Sequence, residues 1–489
     1  MQTWPQIIQG GMGVAISGWK LARTVSTTGN LGVVSGTGVA IALIAALWQG
    51  DPGGHHRRAL AAFPDQAVVE RLMDKYYREG GSDEPSPHTK FYSLNTSQHM
   101  LELTVAANFV EVWLAKEGHD GMIGHNLLEK TPLPNLPSLY GAMLAGVDVI
   151  IMGAGIPINI PSVLAAYVTH SDAKYPVDVV GSEPGERYFT TFEPKVVFEA
   201  AKDWAPLELP KFFPIVTTPV TAMALMKRAS GPVDGFIVET PVAGGHNAPP
   251  RGNVPLTPEG EPVYSHKDFA SPESFKRFGV PFWMAGGYGN REGLLKALAA
   301  GAQGIQVGTA FAYSDESGFT PEIRATVLKQ SLMGQVRVKT DGRASPTGFP
   351  FKIVPMDGSL SDADVVEKRP RVCDLGYLRH LYKRDDGKLG YRCASEPEKA
   401  YLKKGGKPED LVGRLCLCNA LAADLGIRLA KKNGFEEPIL VTSGDAVSAI
   451  AMYLPPGKTS YSAMDVLDVL TGKREATPLP IGVDEIMAV

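Results

Sequence analysis

The sequence predicts an α/β fold, a (β/α)8 TIM barrel with helical insertions and a C-terminal extension. Three observations support this prediction: short apolar runs recur along the first 311 residues, helical stretches separate them, and glycine clusters where the runs end. Glycine accounts for 53 of the 489 residues, above its usual share of about 7%. A chain of this length can bury a substantial core, either as several domains or as one large barrel with an appendage.

The apolar runs are the predicted strands. They are rich in Val, Ile and Phe without polar alternation, a pattern typical of parallel strands buried on both faces. Eight such runs occur in order, at residues 6–9, 32–35, 122–126, 147–153, 212–217, 235–239, 281–285 and 304–308.

The segments between these runs predict helices at residues 18–28, 66–77, 98–116, 221–229, 272–278 and 291–300. Two of these predicted helices begin after a residue that can cap the helix N-terminus. Ser271 precedes Pro272, and Asn290 precedes the last helix. Eight strands alternating with helices indicate a barrel, whose functional residues lie in the loops after the carboxyl ends of the strands.

The predicted domains are a barrel over residues 1–311 and an extension over residues 312–489 that holds all four cysteines. Two long connections interrupt the barrel. Residues 49–120 are expected to add two helices, and residues 169–211 to contain a hairpin at 175–192. The loop 240–270, rich in Pro and Gly, is a candidate lid over the barrel mouth.

Composition excludes several classes of function. The formal net charge is only −4, and no run of Lys and Arg forms the basic footprint that nucleic-acid binding requires. The apolar runs at 39–48 and 144–168 are too short or too interrupted to span a membrane, and the N-terminus lacks a secretion signal. Four cysteines are too few for disulfide bonds to stabilise so long a chain. We therefore expect a reducing compartment and a cytoplasmic location.

Two glycine-rich turns predict a phosphate site. Strand seven ends in Gly286 and Gly287, and strand eight ends in Gly308 and Thr309. Adjacent turns of this kind let backbone N–H groups approach a phosphate, assisted by the positive end of the next helix. The alternative is that these glycines only form tight turns.

A histidine follows the sixth strand. His246 comes directly after Gly244 and Gly245, so its side chain can reach the barrel mouth. The unperturbed pKa of histidine, about 6.5, suits proton transfer near neutrality. Most histidines are surface residues, and His246 stands out only through its position at a strand end.

Small residues after strand one leave room for a flat ring across the barrel mouth. They are Gly10, Gly11 and Met12, while strand three ends in Asn126, whose amide can pair with the edge of a heterocycle. Asn126 as a simple turn former is the alternative.

The motifs at these strand ends resemble a known family. They are the segments 7–12, 31–35, 243–246, 286–287 and 307–311, which look like the nitronate monooxygenase (2-nitropropane dioxygenase) family of FMN-dependent barrels over roughly residues 1–345. The resemblance implies that Gly10, Gly11, Met12, Asn126 and Gly245 line the flavin, that Gly286, Gly287, Gly308 and Thr309 hold its phosphate, and that His246 is the catalytic residue. It implies an enzyme that oxidises nitronates or nitroalkanes with O2.

The sequence departs from that family at several points. Val242 stands where the family usually has an acid, and the segments 11–13, 247–251 and 344–350 look closer to the enoyl reductases that act in trans on polyketide and polyunsaturated fatty-acid synthases. This resemblance implies NAD(P)H as electron donor and an acyl-carrier protein as partner. A non-catalytic barrel that binds a phosphate ligand is a third alternative. A fourth, an enzyme of the inosine-monophosphate dehydrogenase type, requires a cysteine in a barrel loop, where this chain has none.

The four cysteines predict a metal site in the extension. Cys373, Cys393, Cys416 and Cys418 are confined to 46 residues of the chain, counted from 373 to 418. Four thiolates can hold zinc or an iron–sulfur cluster. Their spacing matches neither usual pattern, and buried reduced thiols are the alternative.

Overall fold

The computed structural model describes residues 4–252, 256–430 and 435–479. Its centre is one sheet of eight parallel strands. In chain order they are β1 (Ile7–Gln9), β2 (Gly32–Ser35), β3 (Ile123–Leu128), β4 (Val149–Gly153), β5 (Lys211–Val216), β6 (Phe236–Glu239), β7 (Phe282–Ala285) and β8 (Gly304–Val307).

The sheet closes into a barrel. Strand β1 pairs with β8 on one side, with Ile7 opposite Ile305. On its other side, the Gln9 amide donates to the Leu31 carbonyl at 2.9 Å, and the Leu31 amide donates to the Ile7 carbonyl at 3.1 Å. The predicted TIM barrel is confirmed, and all eight strands lie within a few residues of their predicted positions.

The lower part of the barrel is packed with side chains. A cluster that includes Ile8, Val33, Ile151 and Phe213 is fully buried inside it, and Trp283 donates its indole N–H to the Pro5 carbonyl at 2.9 Å. Residues at the alternating positions of the same strands, such as Ile150, face outward into the main core. The floor of the barrel is therefore solid, and the open end lies at the carboxyl ends of the strands.

Helices surround the barrel. The α-helices of the first 312 residues are Trp19–Ser26, Val39–Trp48, His55–Ala61, Gln66–Tyr76, Gln98–Lys116, Pro132–Leu144, Ile160–Val168, Pro194–Val197, Pro219–Arg228, Arg291–Ala299 and Thr309–Ala312. Short 3-10 helices cover Glu199–Lys202, His266–Asp268 and Pro272–Phe278. The Gln98–Lys116 and Pro132–Leu144 helices pack closely, because a Cβ on Gly141 would lie 2.2 Å from the Val105 carbonyl oxygen.

Of the two predicted helix N-caps, the structure contains one. Asn290 accepts from the Gly293 amide at 2.6 Å and caps its helix as predicted. Ser271 makes no capping bond; its hydroxyl instead bonds to Glu273. The predicted helix at 272–278 is a 3-10 helix that begins at Pro272, so the expected side-chain cap was wrong there.

Both long connections contain regular elements. Residues 49–120, where two extra helices were expected, hold three helices, His55–Ala61, Gln66–Tyr76 and Gln98–Lys116. The second contains the hairpin, in which Ala173–Val177 pairs antiparallel with Tyr188–Phe192. The candidate lid has little regular structure, and its residues 253–255 lie outside the described residues. Its movement stays a prediction.

The C-terminal part has short elements. Its strands are Lys339–Asp341, Phe351–Ile353, His380–Lys383 and Leu389–Arg392; its helices are Pro321–Leu332, Ala363–Lys368, Glu398–Lys403, Leu417–Ala423 and Ala463–Thr471, with 3-10 helices at Pro408–Leu411 and Asp445–Tyr453. Val447, Ile450 and Leu467 join the main core of the barrel. Tyr461 also donates to the Ala310 carbonyl at 2.8 Å. This part therefore packs directly on the barrel, and the domain boundary at 312 stays a prediction.

None of the helices within the described ranges combines the length and apolarity that crossing a bilayer demands. Residues 1–3, which belong to the N-terminal segment used to predict localisation, lie outside those ranges.

Candidate functional site

A cavity of about 280 Å³ opens at the carboxyl ends of the strands. Every barrel strand contributes to its wall, through residues that lie at or just beyond the strand end. In strand order these include Gly10, Ser35, Asn126, Gly153, Ile215, Glu239, Gly286 and Gly308. The cavity therefore occupies the position where TIM barrels carry their active sites.

The ten barrel residues predicted for the site all line this one cavity. They are Gly10, Gly11, Met12, Asn126, Gly245, His246, Gly286, Gly287, Gly308 and Thr309. Side chains are sterically excluded at two of the glycines. A Cβ on Gly11 would lie 2.2 Å from the Asn126 Cβ, and one on Gly286, whose φ is +82°, would lie 2.5 Å from the Thr240 Oγ1. At these two positions, glycine lets the backbone pass close to Asn126 and Thr240, and a residue without a side chain presents only backbone atoms to the cavity that it lines.

Gln306 is a polar residue of the site that the sequence analysis missed. It lies on β8 and lines the cavity, and its buried Oε1 has no hydrogen-bond partner in the described part of the chain. A buried amide oxygen without a partner is costly, so Gln306 has an acceptor available for a ligand N–H. The available signal was a glutamine in an otherwise apolar strand.

The His246 imidazole is held at the cavity wall. Its Nε2 lies 2.7 Å from the Ser345 Oγ, and its ring meets the edge of Phe351 with centroids 4.8 Å apart. Burial, and secondly the positive charge of Lys130, lower its pKa well below the usual value. Burial favours the neutral form of the ring, so His246 departs from the unperturbed pKa of 6.5 on which the prediction of proton transfer relied.

Two further ionisable groups lie near this histidine. Burial raises the pKa of Glu239 to about 7, against the attraction of Lys130. Burial lowers the pKa of Lys130 to about 7, against the attraction of Glu239 and Glu129. The Lys130 ammonium lies 5.1 Å from the centroid of the Phe349 ring. Glu239 lines the cavity, so a carboxyl that titrates near neutrality is available to it. The signal that could have identified Glu239 in the sequence was its position at the end of β6.

Residues 442–445, here called the C-terminal strap, cross the barrel mouth. The Gly444 amide donates to the Thr309 Oγ1 at 3.1 Å, and the Gly245 amide donates to the Thr442 Oγ1 at 3.1 Å. The Asp445 amide donates to the Val242 carbonyl at 3.0 Å. The strap therefore joins the loop of the predicted histidine to the loop of the predicted phosphate site.

The C-terminal part also supplies an apolar section of the cavity wall. Its side chains there include Leu375, Leu378, Leu417 and Leu421, together with Cys418. Combined with the glycine-rich turns, they give the cavity both a backbone-lined surface and an apolar one. Such a combination suits a ligand that has polar and apolar portions.

The four cysteines that were predicted to bind a metal lie near one another in the C-terminal part. Among the residues that the structure describes, which include all four, no group of three or more His, Cys, Asp or Glu side chains could hold a metal ion. All four are free thiols. Burial raises the pKa of Cys373 and Cys393 to about 12, with neighbouring thiols adding to the effect. These shifts are those of the metal-free thiols, and metal binding by the four cysteines stays a prediction.

Comparison with known proteins agrees with the predicted resemblance. The family model for nitronate monooxygenase matches residues 190–346. No curated protein is significantly similar to this sequence. The match confirms the predicted resemblance and the prediction of a flavin oxidoreductase.

Solved structures resemble the chain over most of its length. FabK from Thermotoga maritima is 15% identical, with 96% of this chain and 93% of that chain covered and a TM-score of 0.47. Nitroalkane oxidase from Streptomyces ansochromogenes is 16% identical, with 96% and 95% covered and a TM-score of 0.41. The enoyl reductase domain of MlnA from Bacillus amyloliquefaciens is 11% identical, with 99% and 93% covered and a TM-score of 0.46.

Proposed function

We propose that this oxidoreductase binds FMN and uses NAD(P)H to reduce the carbon–carbon double bond of an apolar α,β-unsaturated acyl substrate. The observation that carries the proposal is a single cavity with a glycine-lined surface, an apolar surface from the C-terminal part, and a neutral histidine in its wall. A small nitronate needs no such apolar surface.

The residues present fit a flavin mononucleotide. Backbone exposed at the glycines can approach a flat ring and a phosphate, and the unpaired Gln306 Oε1 can accept from a ring N–H. We assign Gly10, Gly11, Met12, Asn126, Gly245 and Gln306 to the ring, and Gly286, Gly287, Gly308 and Thr309 to the phosphate. When bound, FMN supplies hydride transfer.

The protein's own residues would polarise and protonate the substrate. Neutral His246 donates an N–H to the acyl carbonyl oxygen and stabilises the negative charge that develops there. Glu239, with a pKa of about 7, is partly protonated at neutral pH and serves as the acid for the α-carbon. Leu375, Leu378 and Leu417 bind the acyl chain and exclude water from it.

Oxidation of nitronates by O2 is the second candidate, and the family match over residues 190–346 favours it. In that reaction, His246 accepts the α-proton of a nitroalkane or positions its nitronate. The apolar surface would then bind the alkyl chain of the substrate. The two candidate functions differ in their electron donor, because only the reductase needs NAD(P)H.

Anaerobic spectroscopy of the purified protein tests the proposal. We expect the visible bands of oxidised flavin, their bleaching by NADH or NADPH, and their return on addition of an enoyl thioester. The thioester is supplied both on a small thiol and on an acyl-carrier protein, because a preference for the latter identifies the carrier as a partner.

Two other outcomes contradict the proposal. Bleaching by a nitronate with reoxidation by O2, but none by NAD(P)H, would establish the second candidate. Protein that binds flavin yet reacts with neither class of substrate would be a binding barrel. A His246→Ala variant is the control, because it should keep the flavin and lose the return of its bands with the thioester.

A further inference from the structure

A second cavity, of about 210 Å³, lies beside the main cavity, between the ends of β5 and β6 and the loop 240–270. Of the described residues that line either cavity, only Glu239 lines both. We propose that the second cavity holds water and is the route by which Glu239 takes up the proton that it gives to the substrate. This inference rests on the proposed function, in which Glu239 is the acid.

Most of the residues that line the second cavity are polar. They include Thr217, Thr218, Thr240, Asn247, Tyr264 and Asp268. Asn247 is only 3% exposed; its Nδ2 donates to the Ala243 carbonyl at 3.1 Å, whereas its Oδ1 has no hydrogen-bond partner in the described part of the chain. Buried polar atoms that the protein leaves unpaired are commonly satisfied by ordered water. The cavity has room for several waters, since each occupies about 30 Å³ in the liquid.

The second cavity connects the surface of the protein with Glu239. Ala248, Pro249 and Arg251 line it and are exposed to solvent. Glu239 lies at its inner end, as the last residue of β6, after three buried residues of that strand. Waters in the cavity would therefore form a hydrogen-bonded path between the solvent and this side chain.

The proposed reaction needs such a path. Reduction of a carbon–carbon double bond adds one hydride, which derives from NAD(P)H, and one proton, which derives from water. Each turnover must therefore return one proton to Glu239. During the reaction the main cavity is filled by the cofactor and the acyl chain, which exclude water from it. The second cavity contains neither, so it leaves one side of Glu239 available to water throughout.

The charged groups around this cavity single out Glu239 as its proton carrier. Burial raises the pKa of Glu239 to about 7, against the attraction of Lys130, so the carboxyl can lose and regain a proton near neutrality. Asp268 also lines the cavity, where it accepts from the Arg251 and Ser265 amides at 2.8 and 2.7 Å. Despite its burial, these hydrogen bonds lower the pKa of Asp268, which therefore stays ionised.

Infrared spectroscopy of the Glu239 carboxyl tests whether the second cavity hydrates it, without flavin or substrate. The carboxyl band is identified by its loss in Glu239→Gln and is followed as a function of pH. Thr217→Leu replaces a polar group of the cavity by a larger apolar one, so we expect the pKa of Glu239 to rise further. Thr191→Leu is the matched control, because Thr191 is exposed and lines neither cavity.

The kinetics of successive turnovers test the route itself. At about pH 6, Glu239 begins the reaction protonated, since its pKa is about 7. In Thr217→Leu, we expect the first return of the flavin bands with an enoyl thioester at the normal rate. Later turnovers should be about tenfold slower, because the acid must be recharged. The wild type and Thr191→Leu should show no such difference. If Thr217→Leu does not fold, Thr217→Val, which lacks only the hydroxyl, should change both measurements in the same direction.

Three outcomes would overturn the inference. The first is a pKa of Glu239 that neither substitution of Thr217 changes. The second is equal rates for first and later turnovers in these variants, which would show that Glu239 is recharged through the main cavity. The third is a raised KM for NAD(P)H or the thioester at unchanged kcat, which would make the second cavity part of a substrate site. Absence of flavin would overturn the proposed function and leave the infrared result standing.

Discussion

The barrel and the C-terminal part contribute to the same cavity in different ways. The barrel supplies backbone, through glycines at the ends of β1, β7 and β8. The C-terminal part supplies side chains and a crossing segment, through its four leucines and the strap at 442–445. The barrel alone therefore provides only part of the candidate site.

The two parts also differ in how their cores are organised. The strands of the barrel share one packed interior, whereas the C-terminal part has two small clusters of its own, one around Phe351 and Leu417 and one around Tyr401. Further buried apolar residues pack with the barrel, either in the main core, as Ile450 does, or in a shared cluster in which Leu375 and Leu429 join Val14 and Ile41. Small cores stabilise weakly, so the C-terminal part depends on the barrel for much of its order.

The largest effect is expected from the barrel side of the proposed phosphate site. Gly287 has a φ of +79°, so Gly287→Val both strains the backbone and fills the space that a phosphate needs. We expect folded protein without flavin, measured by absorbance and by circular dichroism. Gly146→Val is the matched control, because Gly146 has a φ of +72° with no neighbours near its Cβ and lies outside the cavity. Equal flavin content in both variants would refute the placement.

The next effect concerns chemistry rather than binding. His246→Ala should keep the flavin, since the proposed phosphate site lies on other strands, and should lower turnover about 10²- to 10³-fold, as loss of one preorganised donor does. Rates are compared at matched flavin content. Near-normal turnover with both an enoyl thioester and a nitronate would show that His246 has only a structural role.

A smaller effect tests the apolar surface supplied by the C-terminal part. Leu378→Ala removes contacts with the acyl chain, so kcat/KM should fall roughly tenfold for a long substrate and much less for a short one. The control is Leu332→Ala, at an exposed leucine of the same part. Equal loss for both chain lengths would indicate that the substrate does not reach Leu378.

The smallest effect on the reaction is expected at Asp424, a fully buried residue of the C-terminal part that does not line the cavity. Burial raises its pKa from 3.8 to about 8, against a hydrogen bond from the Leu440 amide at 2.9 Å. The folded state therefore binds more protons than the unfolded state between these values, and its contribution to stability falls as the pH rises from about 4 to 8.

Asp424→Asn should remove that pH dependence and leave turnover unchanged. The measurement is the denaturant concentration at the midpoint of unfolding, taken across this pH range. As the pH rises, the midpoint of the variant should increase relative to that of the wild type. Parallel curves for the two proteins would show that Asp424 is not the group responsible.

Much of the barrel could be predicted from sequence because its signals are local. Each strand is a short apolar run that ends in small or polar residues, and His246 follows directly from β6. Asn290 could be recognised as a cap because its partner, Gly293, is three residues away. By contrast, the bond between His246 and Ser345 joins residues 99 positions apart, and that between Gly245 and Thr442 joins residues 197 apart.

The two ionisable residues that were missed share a physical cause. Lys130 and Glu239 are ordinary charged residues in the sequence, and only burial brings their pKa values to about 7. The cysteines show the reverse situation, because their confinement to a short stretch of chain suggested a metal site, whereas the described residues contain no group of three or more His, Cys, Asp or Glu side chains that could hold a metal ion. Proximity in sequence does not by itself set the geometry that a metal requires.

The C-terminal strap is expected to form part of the flavin site. A Cβ on Gly444 would lie 2.9 Å from both the Thr309 Oγ1 and the Val242 carbonyl oxygen, so Gly444→Val should push the strap off the barrel mouth. The matched control is Gly342→Val, at a glycine of the same part with open space around its Cβ. The direct measurement is the dissociation constant of FMN for the wild type and both variants. We predict at least tenfold weaker binding in Gly444→Val and none of this loss in Gly342→Val; unchanged binding in both would contradict a shared site.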